Sequence, residues 1–392
     1  MTTGQLLRGR SRPVTPHPDV RRLPLAPGAH PAGLCLDEDS GLLTVAEMGT
    51  RRLSRWDARQ RQDLGHAPLT AVVSPDLREQ SVGGGLLPGA PGSAYLWTYA
   101  ASGTVHRLDT AGPATAPLTG GAPAGAGLLR DWLFAGPAGV VAAVRGEPHL
   151  IVAAADLGTV RRLPLPAPAG ALSALPDGQV LALLDDPEER ACVVDPVTSR
   201  VVTDGAPWAA LSAFPLPPAR GPFLSSAPVA VSPDGNHAYV GCHRTDAAAR
   251  TSPLVSLNLR TMEIDALLAD ERLATPSRLA VHPSGTELYV SGELSTLVVD
   301  TARFEVAGEL APGRLIELTV SASGDTAVGV DLGHSTVFVF SGPLGRTLTA
   351  PLTPDRNPTE LLYVPVVISE RFDTVYVADR FGGEVLSLSL HP

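Results

Sequence analysis

An all-β chain folded as an eight-bladed β-propeller is the architecture predicted by three features of these 392 residues. A turn signal returns at Gly41, Gly92, Gly139, Gly178, Gly235, Gly285, Gly324 and Asp373. Its mean spacing is about 47 residues, within the range of a four-stranded blade. The intervals share one grammar of short apolar strands bounded by Gly, Pro, Asp and Ser. Helical periodicity is nearly absent, and Asp265–Leu273 is its best exception. Eight blades fit the turn count; seven is the alternative.

Each blade opens with an apolar inner strand that runs into the turn, as in Ala227-Pro-Val-Ala-Val-Ser-Pro-Asp-Gly235 and Pro276-Ser-Arg-Leu-Ala-Val-His-Pro-Ser-Gly285. A second strand of Tyr-Val type follows, at His237–Val240, Glu287–Val290 and Thr374–Val377. A third strand ends in Asp, as in Val105–Thr110, Val193–Pro196 and Leu297–Thr301. The fourth strand is more variable. The hexapeptide Val-Arg-Arg-Leu-Pro-Leu occurs twice, at Val20–Leu25 and Val160–Leu165, each time ahead of an inner strand. The last blade stops after its third strand, Glu384–Leu390, so Val20–Leu25 is expected to complete it and remove the open edge of the ring. Residues 1–19 are then an N-terminal tail, and residues 20–392 form a single domain.

Composition excludes several functions. Formal charge is −10, and all 30 basic residues are Arg. Without lysine there is no Schiff base and no P-loop. Without a basic block, binding to nucleic acid or to a membrane is not expected. Cys35, Cys192 and Cys242 are far apart and read as small buried hydrophobes rather than as a disulfide or zinc set. The first residues, Met1–Pro13, lack the apolar stretch of a secretory signal, and no apolar run approaches membrane-spanning length. The cytoplasm is therefore the expected location.

Tyr239-Val-Gly-Cys242, Tyr289-Val-Ser-Gly292 and Tyr376-Val-Ala-Asp379 give the chain its resemblance to YVTN/NHL-type, lactonase-like β-propeller repeat proteins. The resemblance runs from about residue 20 to residue 390 and implies the fold. Such propellers include lactonases, lyases, dehydrogenase subunits and scaffolds, so it implies no single activity. Gluconolactonase-like propellers hold a divalent ion through a Glu near the first inner strand, with Asn and Asp ligands. Here that strand reads His30-Pro-Ala-Gly-Leu-Cys-Leu36, and only Asn236, Asn258 and Asn357 exist. No metal is therefore expected. No cofactor is expected either, since dinucleotide, haem and Gly-x-Ser-x-Gly signatures are missing.

Strand direction alternates within a blade, so inner-strand starts and second-to-third strand turns share one face, at the channel mouth. Aligning inner strands brings Gly33, Arg130, Val229, Arg278, Glu317 and Glu360 to one position. Arg130 and Arg278 would anchor an anionic group, while Glu317 and Glu360 handle protons, with His30 or His334 as a further titrating group. Arg278 beside Glu317 is expected to keep that carboxylate ionised. Arg380 and Phe381 break the repeat and join the ligand-contact set. So do Trp208 and Phe214 in the long loop Asp204–Ser226, and His243 and Arg244 in Cys242–Pro253. Glu47, Asp331 and Asp379 are read as acids that brace their own turns. The expected function is cofactor-independent chemistry on a small metabolite, of cyclase, lyase or lactone-hydrolase type. The alternative is a non-catalytic scaffold that binds a protein on the mouth face. The plainest reading of the charges is a hydrated channel in which they pair with one another.

Overall fold

A computed structural model describes residues 14–47, 49–68, 86–89, 92–98, 104–109, 119–123, 129–144, 146–185, 190–205, 228–242, 252–331, 333–342, 346–354 and 364–390. They form eight sheets, each contributing one blade of four antiparallel strands to a β-propeller. Blades one to seven span Pro31–Pro68, Leu86–Pro123, Leu129–Pro164, Ala169–Gly205, Val229–Leu268, Arg278–Pro312 and Glu317–Pro351. Blade eight is Val366–Ser369, Thr374–Asp379 and Glu384–Ser389, completed by Val20–Pro24.

That completing strand runs antiparallel to Glu384–Ser389, with Val20 opposite Leu388 and Pro24 opposite Glu384. Leu23 is its one buried residue, packed with Val385, Tyr376, Leu43 and Trp56 in the seam between blades eight and one. Burying a leucine is worth about 1.5–3 kcal/mol. The N-terminal segment also reaches further than a closing strand. Val14–Pro16 adds a fifth strand, in parallel, to the outer edge of blade seven. His17 bridges the two blades: its amide bonds to Thr349 O at 2.8 Å, and its Nε2 to Ser389 O at 2.8 Å.

All eight marked turn residues adopt positive φ, from +86° at Gly139 to +51° at Asp373. Several also pack against the preceding blade's turn. Gly235 lies on Pro176, Gly285 on Pro233 and Gly41 on Phe372, and a Cβ at Gly324 would overlap the His282 imidazole. Five of the eight third strands end in Asp or Asn, a residue whose side chain can cap two of the amides that follow. Asp57, Asp195, Asn258 and Asp300 each do this.

The second strands Val180–Leu184 and Val140–Val144 are continuously apolar because both faces are covered by neighbouring blades. The outer strand Glu263–Leu268 alternates instead, in a regular exposed-to-half-buried succession. The helical reading of Asp265–Leu273 is thereby corrected. Its first residues belong to this strand, and only Glu271–Leu273 form a 3-10 turn, capped by Asp270. Tyr95, Tyr239, Tyr289 and Tyr376 occupy one register in their second strands. Tyr95 donates to Ala155 O of blade three, and Tyr376 to Ala58 O of blade one. The three cysteines are buried and form no disulfide with one another, and burial pushes the Cys35 thiol up to about 12.

Two stability measurements check this account. Gly178→Ala, with open space around it, should cost about 1–2 kcal/mol in chemical denaturation for the left-handed backbone alone. Gly324→Ala should cost clearly more, because His282 must also move. Equal losses would show that the contact between turns carries no weight. Tyr376→Phe should cost about 1 kcal/mol, the usual value of one buried hydrogen bond.

Candidate functional site

The mouth is built from inner-strand starts. Arg278 begins the inner strand of blade six and pairs with Ser291; Glu317 begins that of blade seven and pairs with Val330. The two hold the same register on neighbouring blades, with Arg278 Nε 3.9 Å from Glu317 Oε2. At that distance they form an ion pair without a hydrogen bond. Arg278 also donates from Nη1 to Ser277 O at 3.0 Å.

The Glu317 side chain keeps 16% of its exposure and that of Arg278 37%. Burial pushes the Glu317 carboxyl up to about 7, against the opposing pull of Arg278 and of the Leu318 amide. The expectation that Arg278 keeps Glu317 ionised is thus corrected. A guanidinium still open to water, and shared with a backbone carbonyl, does not offset the desolvation of the carboxylate.

The register also corrects part of the sequence alignment. The position shared by Arg278 and Glu317 is taken by Gly33, Ala171 and Pro228 in blades one, four and five. In blade eight it is Pro365, since Ala378 N bonds to Pro365 O and Val366 pairs with Val377. Val229 is therefore one residue off. Glu360 precedes the equivalent position by five residues and lies outside the described residues. In blade three a bulge falls at Arg130, so Asp131 takes the register; the side chains of both lie outside the description. Blade three stands four blades from blade seven, across the ring.

The bracing acids behave as their turns require. Glu47 is fully buried and accepts from Thr50, Ser54 and the Arg52 Nε, the last at 2.8 Å. Asp379 accepts the amides of Gly382 and Thr353. Asp331 accepts the His334 amide and lies 2.6 Å from its Nδ1. That contact raises the pKa of the His334 imidazole, which is otherwise 78% exposed. His334 and Glu317 sit at the same end of blade seven, where Ile316 N bonds to the Val330 carbonyl.

His30 is exposed, in left-handed backbone at φ +45° beside Gly49, and among the described residues no hydrogen bond or ion pair joins it to another candidate. Arg380 and Phe381 are half-buried in the turn after Asp379, on the mouth face. Trp208, Phe214, His243 and Arg244 lie outside the described residues, as does most of both long loops. On the opposite end of blades one and two, a cleft of about 270 Å³ is lined by Cys35, Asp37, Glu38, Asp39, Pro88 and Ser93.

Sequence reasoning missed Ser291. Its hydroxyl donates to Leu315 O at 2.9 Å and accepts from Leu315 N at 2.8 Å. Thr296 adds a hydroxyl contact to Ser291 at 3.3 Å. These buried bonds tie blade six to the connection that leads into Glu317. The signal was present: Ser291 follows Tyr-Val where the other copies carry Gly241 and Ala378.

No family model matches the chain, and no curated protein does. Among solved structures it is similar to the Dos1 propeller, with a TM-score of 0.65 at 14% identity, over 96% of this chain and 95% of that one. It is also similar to Kuenenia stuttgartiensis hydrazine synthase, with a TM-score of 0.52 at 14% identity, over 84% of this chain and 98% of that one. Both likenesses are likenesses of fold, and the fold they share with this chain is the β-propeller.

Proposed function

We propose that the chain acts on a small anionic metabolite at the channel mouth, by acid–base chemistry of the cyclase, lyase or lactone-hydrolase kind. The observation that carries this reading is Glu317, a carboxyl balanced near neutrality beside the guanidinium of Arg278. An acid–base group works best when its pKa is close to the working pH, because it can then both give and take the proton. Arg278 would hold the anionic end of the ligand. Glu317 would protonate a leaving or carbonyl oxygen and recover the proton later. His334, with its charged form favoured by Asp331, would add positive charge on the same blade. Gly33, Ala171, Pro228 and Pro365 add no charge at that level of blades one, four, five and eight.

Two experiments test the reading. The first concerns stability. Folding raises the Glu317 pKa above its ordinary value of 4.5 to about 7. The folded state therefore binds this proton more tightly, and its contribution to stability is lost as pH rises through that interval. Glu317→Gln should melt higher than wild type at pH 8, with the difference shrinking towards pH 5. A difference independent of pH would mean that Glu317 titrates normally.

The second concerns ligands. A panel of small carboxylates and lactones is screened by thermal shift, and hits are followed for turnover. Arg278→Ala should weaken binding of a hit at least about tenfold. Glu317→Gln should retain binding and lower turnover by about 100-fold or more. If both variants bind and turn over as wild type does, the pair is a structural feature of the channel and this reading falls.

A further inference from the structure

The outer edges of the blades are not alike. In blades one, two, four, five and six the outermost strand carries a bulge against its neighbour. Bulges twist an edge away and discourage further pairing. Blades three, seven and eight have regular outer strands. The edge of blade seven is already used: Val14–Pro16 lies along it in parallel. A regular edge on this ring therefore does accept an added strand.

Blades three and eight carry the same outer sequence, Val160-Arg-Arg-Leu-Pro164 and Val20-Arg-Arg-Leu-Pro24. Their charges are treated differently. In blade eight Arg22 pairs with Glu384, and Arg21 with Asp19 at 3.4 Å. In blade three Arg161 turns to blade four, donating to Val197 O at 2.8 Å and Pro196 O at 2.7 Å. Arg162 is exposed, and among the described residues no carboxylate pairs with it. Exposed valines flank the strand: Val160 on it, and Val197, Val201 and Val202 on the adjoining rim of blade four.

The backbone of this edge is also set for pairing. Leu165 N bonds inward to Pro148 O, and Ala154 N to Thr159 O. Alternation then turns the N–H and C=O groups of Val160 and Arg162 outward. Two copies of this edge, paired antiparallel, would bring arginines opposite arginines, which opposes self-association.

We propose that Val160–Pro164 is a docking edge for an extended acidic segment of a partner protein, which adds to blade three as a fifth strand. Main-chain bonds to Val160 and Arg162 would give register, the Arg162 guanidinium would take a carboxylate, and the valines would cover β-branched side chains. The site is on the outer rim, apart from the channel mouth, and does not depend on the activity proposed there.

The test uses the full chain and a fluorescein-labelled peptide of alternating valine and glutamate, with a glutamine-for-glutamate peptide as control. Saturable binding is expected with a Kd below about 100 μM, and the control should bind at least about tenfold more weakly. Hydrogen exchange should slow at the Val160 and Arg162 amides when the acidic peptide is added. Arg162→Glu should weaken binding at least about tenfold. Arg162→Pro removes an outward N–H while sparing the inward ladder, and should abolish binding with the melting curve unchanged. No saturation by about 1 mM, equal binding of the glutamine peptide, or wild-type binding by the folded Arg162→Glu variant would overturn the proposal. A dimer of the free chain that Arg162→Pro dissociates would also overturn it, assigning the edge to a second copy.

Discussion

The ladder between Val20–Pro24 and Glu384–Ser389 turns a row of eight sheets into a ring. Without it the last blade would lack its outer strand, and Leu23 would leave the seam it fills. Other contacts cross the same seam. Tyr376 reaches Ala58 O, Phe372 packs on Gly41 beneath Arg59 and Arg371, and Arg371 pairs with Asp39. A residue near the start of the chain thus fixes the last blade against the first, and closure sets how near every inner strand stands to its neighbour. The separation of Arg278 and Glu317, on adjacent inner strands, is one consequence.

That separation decides the chemistry available at the mouth. A direct hydrogen bond between the two side chains would favour the ionised carboxylate. At 3.9 Å, with the guanidinium partly in water, burial is the larger effect, and Glu317 stays near the balance between its two forms. Ser291 contributes by holding the connection ahead of Glu317 through both the amide and the carbonyl of Leu315. Buried polar contacts of the scaffold thus flank the pair.

Blade count, turn positions and closing strand were legible in the sequence because each depends on local chemistry that repeats. Turns with positive φ demand Gly or a tolerant residue such as Asp373, and Asp or Asn ends five of the third strands for its side-chain caps. Register was less legible. One extra residue at Arg130 moves Asp131 into its place, and a bulge leaves no mark in composition. Pro358-Thr-Glu-Leu resembles Pro276-Ser-Arg-Leu, yet the strand of blade eight forms later, where Val366–Ser369 can pair with Thr374–Val377. The state of Glu317 could not be read at all, since it depends on desolvation by parts of the chain distant in sequence.

The most direct test of this account is the titration of the Glu317 carboxyl itself, followed by carbon-detected NMR of glutamate-labelled protein and assigned by the loss of its signal in Glu317→Gln. The account predicts a midpoint near pH 7, moving higher in Arg278→Ala as the opposing charge is removed. A midpoint in the ordinary glutamate range, below about 5, would contradict it.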